Sequence, residues 1–498
     1  MRDQGSACCG SVPLSDIQMS RAIRFAVNAL VAAGLAAVVS AQVSAPQSLA
    51  SQVDEIFSRF TPAGPGCAVA VYQNAKIVLA KGYGSANLEY GAPITPATPF
   101  IVGSVSKQFT AAAIALLVEE KRLALTDDVR KYVPELADYG TPITIDHLVH
   151  HTSGLRDWWE LVGIAGLRYD DTYTVQDVLD MTARQHGLNF TPGERYLYSN
   201  TGYIVLGLVV QRVTGKSLRE FAADRIFGPL RMADSHYQDD HTRPVRGRAY
   251  AYSPAAGGRY AINVWNNDLV GQGGVMTTVL DLGKWDENFY TGTVGGPAFL
   301  QRQLERGTLN AGTTITYAFG LEIGTYRGLD LVEHSGSTGG YRAVLTRFPK
   351  QHTSIAVLCN VSNAAPTTLA HRVADDLLRD SFTAPVPSTN ATSATAGANG
   401  GRPGSAPAPA AQLPAAALGQ LAGRYYSDEL DALYEIAMTG STLTLKRPRA
   451  RPETLTARDA VTLSGAVGTL RFTLGPDGRA ERFVLDAGRV QNLAFVRR

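Results

Sequence analysis

Residues 100–120 read FIVGSVSKQFTAAAIALLVEE. From Phe109 onward the run is apolar on nearly every side, and a helix apolar all round is a buried one. The segment therefore demands a sizeable core around it. Just ahead of it stand Ser104-Val105-Ser106-Lys107. Positions three apart share a helix face, so the Lys107 ammonium reaches the Ser104 hydroxyl. This spacing predicts that both residues sit at the solvent-facing mouth of a helix driving into the core. The positive end of a helix also favours negative charge. A hydroxyl, a lysine one turn on and a dipole end are the parts of an activated nucleophile. Taken alone, S-x-x-K also describes a serine N-cap followed by a surface lysine.

The chain can supply that core. It has 498 residues, 45% hydrophobic and 18% charged, enough for about two to four domains. A net charge of +2 offers neither a basic stripe for nucleic acid nor an acidic tail. Arg21 and Arg24 precede an apolar run over residues 25–39, and Val39-Ser40-Ala41 is a small-residue cleavage site before Gln42. This is the pattern of an export signal, so a periplasmic or secreted protein is expected. The run is shorter than the ~20 residues of a spanning helix, so no membrane span is expected after cleavage. No cysteine stands just after the run at the cleavage site, which argues against a lipid anchor. Residues 1–18 do not fit the signal pattern, and Met19 is an alternative start. Cys8 and Cys9 lie upstream; Cys67 and Cys359 remain in the mature chain. Export permits a disulfide.

Residues 48–60 have the spacing of an amphipathic helix. Residues 67–72 and 76–81 read as strands joined at Gln73-Asn74-Ala75. Thr144 caps a short helix over 145–150. Thr174 with Asp177 forms a capping box for a helix to about Arg184. An apolar helix over 203–213 stops at Gly215, and Ser217 with Glu220 caps another. Strands return at 329–332, 341–348 and 353–359, followed by a closing helix over 367–378. Residues 384–414 are mostly Ala, Pro, Gly, Ser and Thr, with Arg402 the only charge, the composition of a linker. Short alternating runs at 433–438, 442–446, 469–474, 480–485 and 491–496 predict a small barrel or sandwich. The expected organisation is an extension and signal (1–41), a main domain (42–383), a linker (384–418) and a small β domain (419–498).

Three motifs recur in a matching order. They are Ser104-Val105-Ser106-Lys107, Tyr198-Ser199-Asn200 and His334-Ser335-Gly336. With their spacing, they resemble the penicillin-recognising serine hydrolases, and more narrowly the class C β-lactamase, D-stereospecific peptidase and esterase family. Lys81-Gly82-Tyr83-Gly84, His150-His151-Thr152-Ser153-Gly154-Leu155, Thr191-Pro192-Gly193, and Gly273-Gly274-Val275 followed by Asp281-Leu282-Gly283-Lys284-Trp285 extend the likeness. It covers about residues 47–379. The resemblance implies an α/β (α+β) fold: an antiparallel sheet flanked by helices, an all-helical lobe, and a cleft between them. It implies hydrolysis of an amide or ester through a Ser104 acyl-enzyme, with no metal or organic cofactor. The substrate expected is a small molecule or short peptide, D-residues included.

Chemistry alone leaves Lys107 and Tyr198 open as first acceptor of the serine proton. The resemblance places Tyr198 beside Ser104 and makes it a candidate base and leaving-group acid. It assigns Asn200, His334 and Gly336 to orienting the substrate, and the backbone N–H groups of Ser104 and Ser337 to the oxyanion hole. Many relatives carry lysine at the place of His334. A histidine's charge varies near neutral pH, so this departure argues against β-lactam hydrolysis. A β-lactamase proper is the alternative enzyme. A non-catalytic receptor for peptides or cell-wall fragments is the alternative of another class. The C-terminal β domain is a candidate gate, or the contact of a homo-oligomer. In the family's sheet the first strand runs antiparallel to the last, which makes Cys67 and Cys359 cross-strand neighbours. A disulfide and two free core thiols are both open.

Other features read as structural. His147, His150 and His151 lack an H-E-x-x-H pattern or a carboxylate at ligand spacing. Trp158 and Trp159 fit either a cleft wall or a core. G-x-S-x-G is absent, which excludes an α/β-hydrolase elbow as the nucleophile site.

Overall fold

The structure is a computed structural model that describes residues 48–385 and 410–498. The expected export signal, Cys8, Cys9 and most of the linker lie outside the described residues. The segment that demanded a core has one. Gly103–Ser106 form a 3₁₀ turn and Lys107–Glu119 an α-helix. Phe109, Ala111, Ala112, Ala113, Ile114, Ala115 and Leu117 have no exposed surface. Lys107 departs from expectation: it too is completely buried, because the aromatic rings of the helical lobe close over it.

The main sheet is antiparallel. Its strands in chain order are β1 (Cys67–Gln73), β2 (Lys76–Tyr83), β3 (Glu322–Tyr326), β4 (Leu329–Thr338), β5 (Tyr341–Phe348) and β6 (Thr353–Cys359). The six lie in the order β3-β4-β5-β6-β1-β2. β1 and β2 meet at Asn74 and Ala75, both at positive φ (52° and 64°), the geometry of a tight hairpin turn. β4 runs well past the short strand expected at 329–332. The small residues of His334-Ser335-Gly336-Ser337 look like a turn by composition, yet they pair with β5. β1 and β6 place Cys67 opposite Cys359. The two form a disulfide with Cα atoms 4.0 Å apart.

One face of the sheet packs on the flanking helices Leu49–Phe57 and Pro366–Leu377. The other face carries the helix after Ser104 and the helical lobe. In that lobe the Thr174–Asp177 and Ser217–Glu220 capping boxes form, and Gly215 ends Asn200–Thr214 at positive φ.

The C-terminal residues make a closed eight-stranded barrel from Gly423–Ser427 to Val490–Arg497, which selects the barrel over the sandwich. Tyr425, Tyr434, Phe472, Phe483 and Phe495 are buried and in ring contact with one another, and a barrel of this size is just wide enough for side chains to fill. The barrel docks on the helical lobe. Trp158, Leu161, Val162 and Ile164 share its core. The Tyr434 hydroxyl donates to the Ile164 carbonyl at 2.6 Å. Arg156 and Glu429 pair across the junction, each with 3% of its side chain exposed.

Candidate active site

The turn at Gly103 sets the position of Ser104. Gly103 has φ of +52°, and a Cβ there would lie 2.7 Å from the Ser337 nitrogen. A Cβ on Gly336 would lie 1.9 Å from the Val102 carbonyl oxygen and 3.1 Å from the Ser104 nitrogen. Two glycines thus let β4 lie directly against the Ser104 turn. β3 stops where Glu322 meets Glu333, so the backbone from His334 onward has no strand on that side among the described residues.

Lys107 Nζ lies 3.2 Å from Ser104 Oγ, 2.8 Å from Asn200 Oδ1 and 2.6 Å from the Gln272 carbonyl oxygen. It also stands 4.7 Å above the Tyr198 ring and 5.4 Å from the Tyr203 ring. Burial pushes the Lys107 ammonium well below its ordinary pKa; the Asp157 carboxylate opposes this and the Arg489 cation adds to it. Burial raises the Tyr198 phenol, while its hydrogen bond with Ser104 and the Arg489 charge act the other way. The arrangement can take a proton from Ser104 and hand one back. Two fixed acceptors, Asn200 Oδ1 and Gln272 O, engage both protons of a neutral amine. Its lone pair then faces the Ser104 hydroxyl.

Ser104, Tyr198, Asn200 and Ser337 all line one cleft of about 870 Å3, within the roughly 300–1,000 Å3 of ligand sites. His334 and Gly336 are not among the residues that line it. His334 is buried behind the wall, its Nδ1 donating to Ser335 O at 2.6 Å and its Nε2 accepting from Tyr317 Oη at 3.0 Å. Burial first, and the Lys107 charge second, push its pKa to about 3. The ring is therefore neutral around pH 7, not poised to titrate there. Trp159 lines the cleft and Trp158 is buried in the core. His147, His150 and His151 turn to different partners: the Thr144 N–H, Asp146 and the Ser199 N–H.

Several site residues carried no signal in the sequence. Asp157 has no exposed surface. Its Oδ1 accepts from the Trp159 and Glu160 N–H groups, capping the helix Trp158–Ile164. Its Oδ2 accepts from the Asn200 N–H at 2.6 Å and from Arg489 Nη1 at 3.3 Å. Arg489 comes from the tip of the last barrel hairpin, between Ala480–Ala487 and Val490–Arg497, and it too lines the cleft. His151 lies with its ring centroid 4.1 Å from that of Tyr198, and its one sequence signal was its place in the His150–Leu155 stretch.

Known proteins place this geometry in context. A family model described as Beta-lactamase matches residues 53–380. A D-aminopeptidase of Gluconobacter oxydans is 30% identical over 329 residues, covering 66% of this chain and 61% of the relative. The chain therefore spans about three fifths of that relative's length. Among solved structures, the octameric penicillin-binding protein homologue from Pyrococcus abyssi superposes with a TM-score of 0.59 at 25% identity, covering 90% of this chain and 99% of that one. That coverage takes in the barrel as well as the main domain. The D-amino acid amidase from Ochrobactrum anthropi shares the fold at TM-score 0.56 and 22% identity, over 67% of this chain and 100% of that one. With a matching model over residues 53–380, the S-x-x-K and Y-x-N segments on one cleft and the H-x-G segment on the strand beside the Ser104 turn, the chain belongs to the Beta-lactamase family.

Proposed function

We propose that the chain is an exported serine hydrolase that cleaves an amide or ester bond in a small peptide or amino-acid derivative, D-residues included, through an acyl-enzyme on Ser104. One observation carries the reading: the Ser104 hydroxyl stands 3.2 Å from a buried lysine whose other hydrogen-bond partners are acceptors. In this scheme Lys107 takes the Ser104 proton as the Oγ–carbon bond forms. The leaving amine or alkoxide departs with the Tyr198 phenolic proton. Water then attacks the acyl carbon and gives a proton to the Tyr198 oxygen, and Ser104 recovers its own from Lys107. The opposed shifts of Lys107 and Tyr198 support this division of labour, since acid and base are best assigned where environments push two groups apart. The Ser104 and Ser337 N–H groups are proposed to hold the developing oxyanion.

The substrate class rests on two supports. A relative bears the name D-aminopeptidase. His334 is neutral and stands behind the cleft wall, so it supplies no fixed cation for the carboxylate of a β-lactam. Export rests on the signal pattern before Gln42, and homo-oligomerisation on the octamer reported for the Pyrococcus abyssi protein. A hydrolysis panel of D- and L-aminoacyl amides, p-nitrophenyl esters and nitrocefin, run beside Ser104→Ala, tests the reading. We expect turnover of the D-aminoacyl amides or esters that vanishes in the variant. Nitrocefin turned over faster than every amide and ester would overturn the substrate class.

A further inference from the structure

We infer that Arg489, delivered by the C-terminal barrel, is a positioning residue of the hydrolase site: by pairing with the buried Asp157 carboxylate it keeps that charge from fixing a proton on Lys107, and it steadies the Asn200 backbone that Asp157 holds. This deepens the proposed function and rests on Lys107 acting as the base.

The contacts run in an unbroken line. Arg489 Nη1 donates to Asp157 Oδ2, Asp157 Oδ2 accepts the Asn200 N–H, and Asn200 Oδ1 accepts from Lys107. Every member is in the interior: the Arg489 side chain is 6% exposed and that of Asp157 not at all. A buried carboxylate that acts on a lysine, without a countercharge, stabilises the ammonium and weakens the base. A guanidinium on the same carboxylate offsets part of that effect, and one placed in a barrel loop makes the barrel part of the catalytic apparatus.

The hairpin tip is held for this task. Asn189 Nδ2 donates to the Arg489 carbonyl at 2.9 Å, and Asn189 Oδ1 accepts the Gln491 N–H at 2.7 Å. Arg156 donates to the carbonyls of Gln491 and Asn492 at 3.1 and 3.0 Å. Arg489 Nη2 lies 3.5 Å from Glu160 Oε1, and its guanidinium is 5.5 Å from the Tyr198 ring centroid. The groups facing Lys107 are Ser104, Asn200, the Gln272 carbonyl, the Tyr198 and Tyr203 rings, neutral His151 and His334, and the Asp157–Arg489 pair. Of these only the pair carries charge around pH 7, so on top of the effect of burial its balance adjusts how readily Lys107 gives up its proton.

The test is the rate of Ser104 labelling by a fluorophosphonate as a function of pH, on the intact chain. In labelling, the Ser104 oxygen bonds to phosphorus, fluoride leaves and the serine proton passes to Lys107, so the acid limb reports the lysine. Arg489→Gln should move that limb alkaline by about one pH unit or more. Arg489→Lys should restore most of the native limb. Asp157→Asn should move the limb acidic, and the double variant should return it towards the native position. An Arg489→Gln profile that overlays the native one overturns the inference, as does a double variant that keeps the full single-variant shift. If Arg489→Gln fails to melt cooperatively, Asp157→Asn decides: a limb that stays put or moves alkaline overturns the inference. A native chain that resists labelling at every pH overturns the hydrolase reading itself, and the inference with it.

Discussion

Lys107 is a cation-forming group with no exposed surface, and that is a burden on stability unless it does something. An isolated charge in the interior is strongly disfavoured, and replacing buried charges with apolar groups of similar size is often neutral or stabilising. Lys107→Met is therefore expected to lower Ser104 labelling by about 100-fold or more, the range of a lost acid–base group, while the melting temperature holds or rises. A joint loss of labelling and stability would make Lys107 a structural residue instead. His334 carries a different signature. Its folded pKa of about 3 lies below the ordinary histidine value of 6.5, so the unfolded chain binds the proton more readily. Stability from this group is full above pH 6.5 and is lost as the pH falls towards 3. Between pH 7 and 4 the loss is on the order of a few kcal/mol. His334→Gln should flatten that part of the stability profile, measured by denaturant unfolding; an unchanged slope would contradict the assigned environment. Ser104, Lys107, Tyr198 and Asn200 were legible because their chemistry sits in short spacings. Asp157 and Arg489 were not, because residues 157 and 489 meet only through the docking of one fold on another.

β4 shows how far pattern reading reaches along an element. Its first residues, Leu329, Leu331 and Val332, are the apolar part that reads as a strand. The stretch after Glu333 opens with a histidine, two serines and a glycine before its threonine, a composition in which only the threonine favours a strand. Pairing with β5 and contact with the Ser104 turn override the local preference. β3 escaped notice altogether, because Glu322-Ile323-Gly324-Thr325-Tyr326 is short and half exposed. Three barrel strands, Gly423–Ser427, Glu453–Ala457 and Thr462–Gly465, were missed for the same reason. The clearest element-level prediction concerns Gly336. A methyl group there would meet the Val102 carbonyl at 1.9 Å, far inside contact distance, and the obstacle is backbone. Gly336→Ala should push β4 off the Ser104 turn and reduce labelling by about 100-fold, the scale of a lost oxyanion donor. Native labelling kinetics in that variant would show that the turn and strand need not touch.

The whole molecule joins a β-lactamase-like fold to a barrel packed with its own aromatic side chains. Its contribution to the cleft is made at its rim, where the last hairpin enters the site. The junction depends on the Arg156–Glu429 pair, buried on both sides. Removing one partner of such a pair destabilises by about 3–5 kcal/mol, because the other charge is left behind. Glu429→Ala should release the barrel to limited proteolysis and slow labelling through loss of Arg489 from the cleft; resistance equal to the native chain would place the docking energy in the shared apolar core around Trp158. At this scale the fold class was legible from three motifs and a linker, and the contact between the two folds was not. The central claim concerns a covalent bond at one oxygen atom. Intact-mass measurement with peptide mapping, after incubation with a D-aminoacyl ester and rapid acid quench, tests it most directly. An acyl adduct is expected on the peptide that contains Ser104 and none in Ser104→Ala; turnover of the ester with the adduct absent, or present equally in the variant, would rule out the Ser104 acyl-enzyme.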